Sequence, residues 1–198
     1  KRLTEQGRVA RYYRILKEEC EREISLINDL LDLQRLDSGA QPPSVSLVPL
    51  TSWLADIIQP FEDRMQDRQQ SLTFQGLTPL PSFRTDTVAV QRILTELLDN
   101  ACKYTPDDGT ILVTARMVDH ALQIQVTNSG IEIPPQHLPY IFDKFYRVPS
   151  NVRWQKGGTG LGLALVKQLI NHIGGTVQVH SQHEKTSFRV MIPGVDQQ

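Results

Sequence analysis

From Gly157 to Leu163 the chain reads GGTGLGL, four glycines in six residues, and runs straight into the apolar, helix-like segment Leu161 to Ile173. Glycine is unfavourable at a helix start unless a positive φ or a missing side chain is needed, and a phosphate on a helix N-terminus needs access and unpaired N–H donors. The run points to a phosphate-binding turn, although a flexible linker would explain the same glycines. A second group is Glu96, Asn100, Lys103 and Tyr104. At about 100° per helical residue these four fall within roughly 100° of one another, opposite an apolar side. Val90, Leu94, Leu97, Leu98 and Ala101 make up that side. An acid, an amide, an ammonium and a phenol on one stripe could offer a metal ligand, a phosphate contact and a stacking surface. The plainer alternative is an amphipathic helix with a solvated face.

Two further segments carry chemistry. Asn128-Ser129-Gly130-Ile131-Glu132-Ile133, followed by Pro134-Pro135, closes a strand-like stretch. A short polar side chain at a strand end, followed by glycine, can aim an amide at a flat heterocycle whose edge donates and accepts hydrogen bonds, or can simply form a turn. Ile141 to Arg147, IFDKFYR, is an aromatic cluster ending in a base. Core packing alone could explain the rings, but the polar, proline- and glycine-punctuated stretch between Arg147 and GGTGLGL has the makings of a mobile lid. No GxxxxGK[ST] run occurs, so a P-loop is not the phosphate device here.

The elements that hold these residues divide in two. From Lys1 to Asp37 there is no proline, and only Gly7 interrupts strong helix formers. Tyr13, Leu16, Cys20, Ile24, Ile27 and Leu31 recur in steps of three and four, predicting one long helix whose apolar stripe needs a partner, either a second copy or the chain's own domain. Ser38, Gly39 and Pro42-Pro43 end it, which sets a boundary between 1–40 and 41–198. Beyond it we expect strands near 45–48, 72–75, 111–117, 122–127, 176–180 and 187–192, with helices at 52–67, 87–104 and 161–173 and a short helical turn at 136–142. Strands follow one another directly at 111–127 and 176–192, so the pattern is not a regular βαβα array. It predicts an α+β unit, a sheet covered by helices on one face.

Composition excludes several classes. With 198 residues, 39% hydrophobic, and a formal net charge of −1, the chain suits one good core plus an appendage, and nucleic acid is not an expected partner. No apolar run approaches the ~18–20 residues of a membrane span, and the charged N-terminus is no signal peptide, so any anchor would lie outside this sequence. Cys20 and Cys102 lack metal or CxxC spacing, and a reduced cytoplasmic setting is the simpler expectation.

Taken in order, the segments resemble the ATP-binding catalytic domain of bacterial sensor histidine kinases, a branch of a wider family that includes type II topoisomerases and mismatch-repair ATPases. ELLDNACKYTP (96–106) is similar to the family's asparagine box, NSGIEIP (128–134) to its first glycine box, IFDKFYR to its phenylalanine box and GGTGLGL to its second glycine box. The resemblance covers nearly the whole chain. It implies a Bergerat-type two-layer α/β sandwich, with ATP and Mg²⁺ as cofactors. Asn100 would coordinate magnesium through its side-chain oxygen, Lys103 would contact phosphate and Tyr104 would flank the nucleotide. Asn128 would read the adenine amino group and Gly130 would let the ring approach. Gly158, Gly160 and Gly162 would shape the lid end, with Arg147 and Lys156 as phosphate charges. Ile133, Phe145, Tyr146, Thr159, Leu161 and Leu163 complete the nucleotide set that the resemblance implies.

The departures carry expectations of their own. The first glycine box usually begins with aspartate and holds a second glycine, where this chain has Asn128 and Glu132. An asparagine oxygen accepts a hydrogen bond without the charge assistance of a carboxylate, a loss of ~1 kcal/mol or more, so micromolar to millimolar nucleotide affinity is expected. Glu132 requires that its backbone not need a positive φ and that its side chain point away from the triphosphate. Glu96 stands where many sensor kinases have asparagine; it could activate water, as in the ATPase cousins, or order a magnesium-bound water. LINDLLDLQRLDSG (26–39) resembles the second helix of the dimerisation and phosphoacceptor hairpin. The first, histidine-bearing helix has no counterpart, since His120, His137, His172, His180 and His183 all lie in or beside the catalytic unit. The implied partners are a second copy, paired through the long helix, and a response regulator receiving the phosphoryl group. This chain is not expected to phosphorylate itself. A regulatory nucleotide-binding module and an autonomous ATPase using Glu96 are the alternatives.

Overall fold

The computed structural model describes residues 5–39, 43–66, 68–77, 80–149 and 158–195. A long helix, α1 (Glu5–Asp37), precedes β1 (Val45–Pro49), α2 (Leu50–Gln66), β2 (Ser71–Gly76), β3 (Ser82–Asp86) and α3 (Thr87–Tyr104). The antiparallel hairpin β4 (Thr110–Val118) and β5 (Ala121–Ser129) follows, then a 3-10 turn over Pro135–Tyr140, α4 (Gly162–His172) and a second hairpin, β6 (Thr176–Gln182) and β7 (Lys185–Pro193). Five strands form one mixed sheet in the order β2-β4-β5-β7-β6, where only β2 and β4 run parallel. The α+β expectation holds, with α2, α3 and α4 packed on the sheet.

Alternation explains why only one face is covered. Leu122, Ile124 and Val126 of the central strand β5, and Phe188, Val190 and Ile192 of β7, are buried in register against the helices. Their neighbours, Thr127 with Ser187 and Gln125 with Arg189, hydrogen-bond to one another on the other face. The core side of α3 is the predicted one, with Val90, Leu94, Leu97, Leu98 and Ala101 all buried. Asp86 caps this helix by accepting from the Ala89 N–H at 3.0 Å. At the far end Arg68 and Gln70 donate to the carbonyls of Cys102 and Thr105, satisfying groups a helix C-terminus leaves open. Both ends of the helix bearing the polar stripe are thereby fixed.

One strand is not among those expected, and the long helix docks by a face other than its predicted stripe. Ser82–Asp86 forms an additional strand that pairs with β1 in a separate two-stranded sheet. Its residues SFRTD bury only Phe83, Thr85 and Asp86, too few for an alternating apolar signal; the pairing partner lies far back in the chain. The long helix forms as expected, but its predicted stripe does not face the domain. Tyr13, Leu16, Ile24, Ile27 and Leu31 are between 46% and 72% exposed, and Cys20 is exposed too. Instead Leu33 is buried and Leu26, Leu30 and Leu36 pack on the core, one residue out of phase with the stripe. Polar ties fix this second face: Asp29 to Arg92 at 2.6 Å, and Asp37 to Lys144 at 2.9 Å and Gln168 at 3.1 Å. Helix α1 therefore has two apolar faces, one docked on α4 and one open to solvent.

Candidate functional site

Beside the exposed end of β5 lie two connected cavities. The first, about 380 Å³, is mostly apolar and is lined by Asn128, Gly130, Ile133, Pro134, Thr186 and Phe188, among others. The second, about 340 Å³, is polar and is lined by Glu96, Lys103, Gly158, Thr159, Gly160 and Gly162, together with α1 residues. Asn100, Tyr104, Ile141, Tyr146, Arg147 and Leu163 line both, so the two are ends of one cleft.

Asn128 defines the apolar end. It continues the buried register of Leu122, Ile124 and Val126, a position where the pattern calls for another aliphatic side chain. It is 3% exposed, and its Nδ2 atom has no hydrogen-bond partner among the described residues. A buried amide without a partner is costly, about 1–3 kcal/mol, unless a ligand supplies one. Gly130 sits beside it at φ +87°, and a Cβ there would run into the Pro106 ring, so only glycine keeps the turn. Its N–H donates to the Glu184 carbonyl at 2.7 Å. Glu132 meets both conditions set for it: its φ is not positive, and its exposed carboxylate accepts from the Glu184 N–H at 3.4 Å, turned toward the β6–β7 turn.

At the polar end the glycines have individual reasons. Gly158 (φ +115°) lies against the Lys103 ammonium, where a Cβ would collide with it. Gly160 (φ +75°) leaves 2.8 Å between a notional Cβ and the Phe145 backbone. Gly162 opens α4, and a Cβ there would stand 2.5 Å from Glu96 Oε2. Among the described residues no side chain caps α4, and the first N–H groups of a helix are the donors an anion can use. Lys103 stands 4.9 Å over the Tyr104 ring. Burial, then the charges of Arg147 and Arg22, push its pKa down to about 8. Burial likewise raises the Tyr104 phenol. Glu96 is held at 3.0 Å by Arg92, whose Nη2 also binds Asp29. Burial nevertheless pushes the Glu96 pKa up to about 7 against the opposing pull of Arg92.

The cleft collects Glu96, Asn100, Lys103, Tyr104, Asn128, Gly130, Ile133, Tyr146, Arg147, Gly158, Thr159, Gly160, Gly162 and Leu163 from the sequence-predicted set. Two predicted residues do not line it. Phe145 is 58% exposed at φ +65°, and contributes through its backbone, whose N–H donates to the Gly160 carbonyl at 2.9 Å. Leu161 is fully buried in the core and receives no ligand-facing position. Lys156 and Gly157 lie outside the described residues. Sequence reasoning missed Thr186, Phe188 and Arg92. Thr186 faces Asn128 across the β5–β7 ladder, and only the strand register reveals it. Arg92 could have been found as the residue one turn before Glu96.

The residues fit an adenine nucleotide on these observations. An unpaired buried amide stands in an apolar slot roomy enough for a heterocycle, and a polar, glycine-lined end that holds Lys103 and Arg147 adjoins it. Among the described residues no cluster of three His, Cys, Asp or Glu side chains is arranged for a metal. A divalent cation bound near Asn100 would need phosphate oxygens and water as its remaining ligands, which is how Mg²⁺ commonly binds.

The sequence profile of the family described as histidine kinase-, DNA gyrase B-, and HSP90-like ATPase matches residues 85–196, from the end of β3 through β7. The chain belongs to this family. Within it the relatives are sensor histidine kinases, and the domain is their ATP-binding catalytic domain. The sensor histidine kinase CusS of Escherichia coli (strain K12) is 35% identical over 176 residues, which cover 89% of this chain and 36% of that protein. The circadian input-output histidine kinase CikA of Synechococcus elongatus is 34% identical over 195 residues, 96% of this chain and 26% of its own length. The crystal structure of full-length ShkA in complex with AMPPNP superposes with a TM-score of 0.81 at 28% identity, over 98% of this chain and 40% of that one. This chain thus spans roughly a third of the curated relatives it matches. No helix among the described residues is long and apolar enough to cross a membrane.

Proposed function

We propose that this histidine-kinase catalytic domain binds Mg–ATP in the cleft between α3, the β5–β7 strands and the glycine loop, and that its parent protein transfers the γ-phosphate to a histidine for relay to a response regulator. The observation that carries the reading is Asn128: a buried, unpartnered amide at a core position of the central strand, facing a cavity that continues into a cationic end. Its amide matches the adenine edge, with Nδ2 donating to a ring nitrogen and the oxygen accepting from the exocyclic amine. Tyr104 and Ile133 flank the ring. Lys103, Arg147 and the α4 N-terminus meet the phosphates, and Lys156 belongs to the same group by position in the sequence. Asn100, at the junction of the two ends, supplies the protein ligand to magnesium. A magnesium ion held there would supply positive charge to stabilise the phosphoryl group being transferred.

In this reading Glu96 would order water around such a metal. Its ion pair with Arg92 and its contact with the start of α4 leave it positioned beside the phosphates. Residues 1–40 form the second helix of the hairpin domain and 41–198 the catalytic domain. The open face of α1, with Tyr13, Leu16, Ile24 and Ile27, meets a second copy of the chain. The acceptor histidine comes from a hairpin helix outside this sequence, and the setting is the cytoplasm.

Calorimetry with Mg–AMPPNP tests the nucleotide half. Micromolar to millimolar binding that falls at least tenfold in Asn128→Leu is expected, and no binding at millimolar nucleotide would overturn it. Adding labelled ATP and a separate histidine-bearing hairpin tests transfer. Acid-labile label on the hairpin supports the kinase reading, whereas phosphate release with an unlabelled hairpin supports an ATPase.

A further inference from the structure

The polar end of the cleft is not built by the catalytic domain alone. Arg22, Ser25 and Asp29 of α1 line it opposite Lys103, Asn100 and the glycine loop. Arg22 and Asp29 are seven residues apart, two helical turns, so they share the docked face and not the open stripe. Asp29 pins that face to Arg92 at 2.6 Å, and Leu33, one turn further on, is buried. Arg22 thereby overhangs the cavity while its guanidinium is only loosely engaged, 3.4 Å from Glu19 on the same helix, with 45% of the side chain exposed. Such an exposed pair contributes little and leaves a planar, five-donor cation available to a doubly charged oxygen group. Its charge also reaches the lysine at the cavity floor, adding to the repulsion that Lys103 already meets from Arg147. A polyanion placed between them would relieve that repulsion.

We propose that Arg22 completes the triphosphate site from the long helix: it binds the terminal phosphate, so that ATP, and not ADP, is gripped between α1 and the catalytic domain. The inference rests on the nucleotide reading above. It makes α1 a sensor of the γ-phosphate. Because coupling is reciprocal, a docked α1 favours ATP over ADP, and ATP favours docking by the same factor. Arg22 is a binding residue for the terminal phosphate, reached across the cleft from a helix that lies outside the segment matched by the family profile.

The test uses the whole chain and Mg²⁺, titrated by calorimetry with AMPPNP and with ADP. Arg22→Gln is expected to weaken AMPPNP about tenfold and to leave ADP within about twofold, because only the triphosphate analogue forfeits a charge-assisted hydrogen bond. Arg22→Lys should recover part of the loss. Arg35→Gln removes the same charge from the same helix away from the cleft and should change neither affinity. Hydrogen exchange supplies the second readout: AMPPNP, but not ADP, should slow exchange across residues 22–33 in the parent sequence and fail to do so in Arg22→Gln. Equal weakening of both nucleotides, or of neither, overturns the role of Arg22 while leaving the nucleotide site standing. Binding of neither nucleotide by the unaltered chain overturns the site itself and this inference with it.

Discussion

The two ends of the cleft are built on opposite principles. The apolar end grows out of the sheet: Asn128 takes the next inward place after Leu122, Ile124 and Val126, so the same strand alternation that makes the core also aims the amide. The polar end is assembled from separate pieces, α1, α3 and the glycine loop, and the charges of Arg92, Lys103, Glu96, Asp29 and Arg147 sit close together. The first end is preorganised by packing and holds one unsatisfied donor. The second holds several charges whose protonation is shifted by burial, and a ligand changes its electrostatics. An apolar end fixed by the sheet and a polar end with several shifted charges are what the proposed division into a base-recognition end and a phosphate end requires.

This contrast can be tested, and the largest effect belongs to the loop. Gly160→Val places a β-branched residue at φ +75° within 2.8 Å of the Phe145 backbone. The strain and the clash together cost about 3 kcal/mol or more, so nucleotide binding should drop below detection by calorimetry while far-UV circular dichroism is retained. A drop in helical signal instead would mean that the loop holds up the fold as well as the ligand.

Next is the proton on Glu96. Its ordinary value is 4.5 and burial lifts it to about 7 in the folded chain. The folded state then holds a proton that the unfolded state has lost, so stability falls as pH rises from about 4.5 to about 7 and is level above that. At about 1.36 kcal/mol per unit the decline amounts to ~3 kcal/mol. Urea titrations at pH 5 and pH 8 should show it, and Glu96→Gln should flatten it. An unchanged slope in the variant would assign the decline to other groups.

At the apolar end, Asn128→Leu fills the register with the aliphatic residue it calls for. The variant should be more stable by about 1 kcal/mol in thermal melts, since one unpaired buried amide disappears, while adenine nucleotides lose at least tenfold in affinity. Stability and binding moving in opposite directions is the signature of a functional polar group at a core position. If both fall together, the amide is structural.

The smallest effect concerns Lys103, held down to about 8 by burial and its cationic neighbours. Phosphate would restore its ordinary basicity, so nucleotide binding near pH 8 should take up roughly half a proton and near pH 6 almost none. Calorimetry in two buffers of different ionisation enthalpy measures this directly. Without ligand the sign is reversed from the Glu96 case: the folded chain loses this proton first, and stability rises between about 8 and 10.5.

Much of this organisation could be read directly from residue order. The stripe Glu96, Asn100, Lys103 and Tyr104 opposite a leucine face was legible because both periods belong to one helix, whose two faces any local pattern exposes. The glycine positions were legible because positive φ and close approach leave few other residues acceptable. The docked face of α1 was not. Its residues Leu26, Leu30, Leu33 and Leu36 compete in the sequence with the stripe Ile24, Ile27 and Leu31, and the two differ by one position. Nothing local says which face meets α4. The same limit hid β3, whose partner lies some forty residues earlier, and Thr186, whose place beside Asn128 is a matter of register between strands.

Local chemistry thus settled most of the elements, β3 excepted, and which residues carry the family's boxes, because helix periodicity, strand alternation and glycine geometry act over a few neighbouring residues. Tertiary structure decided what those elements enclose. It buried Asn128 without a partner among the described residues, joined two cavities through Asn100 and Tyr104, and brought Arg22 to the polar end from a helix more than seventy residues earlier in the chain. The physical reason is that burial, electrostatic proximity and cavity shape depend on groups far apart in sequence, and they acquire values only once the chain has packed.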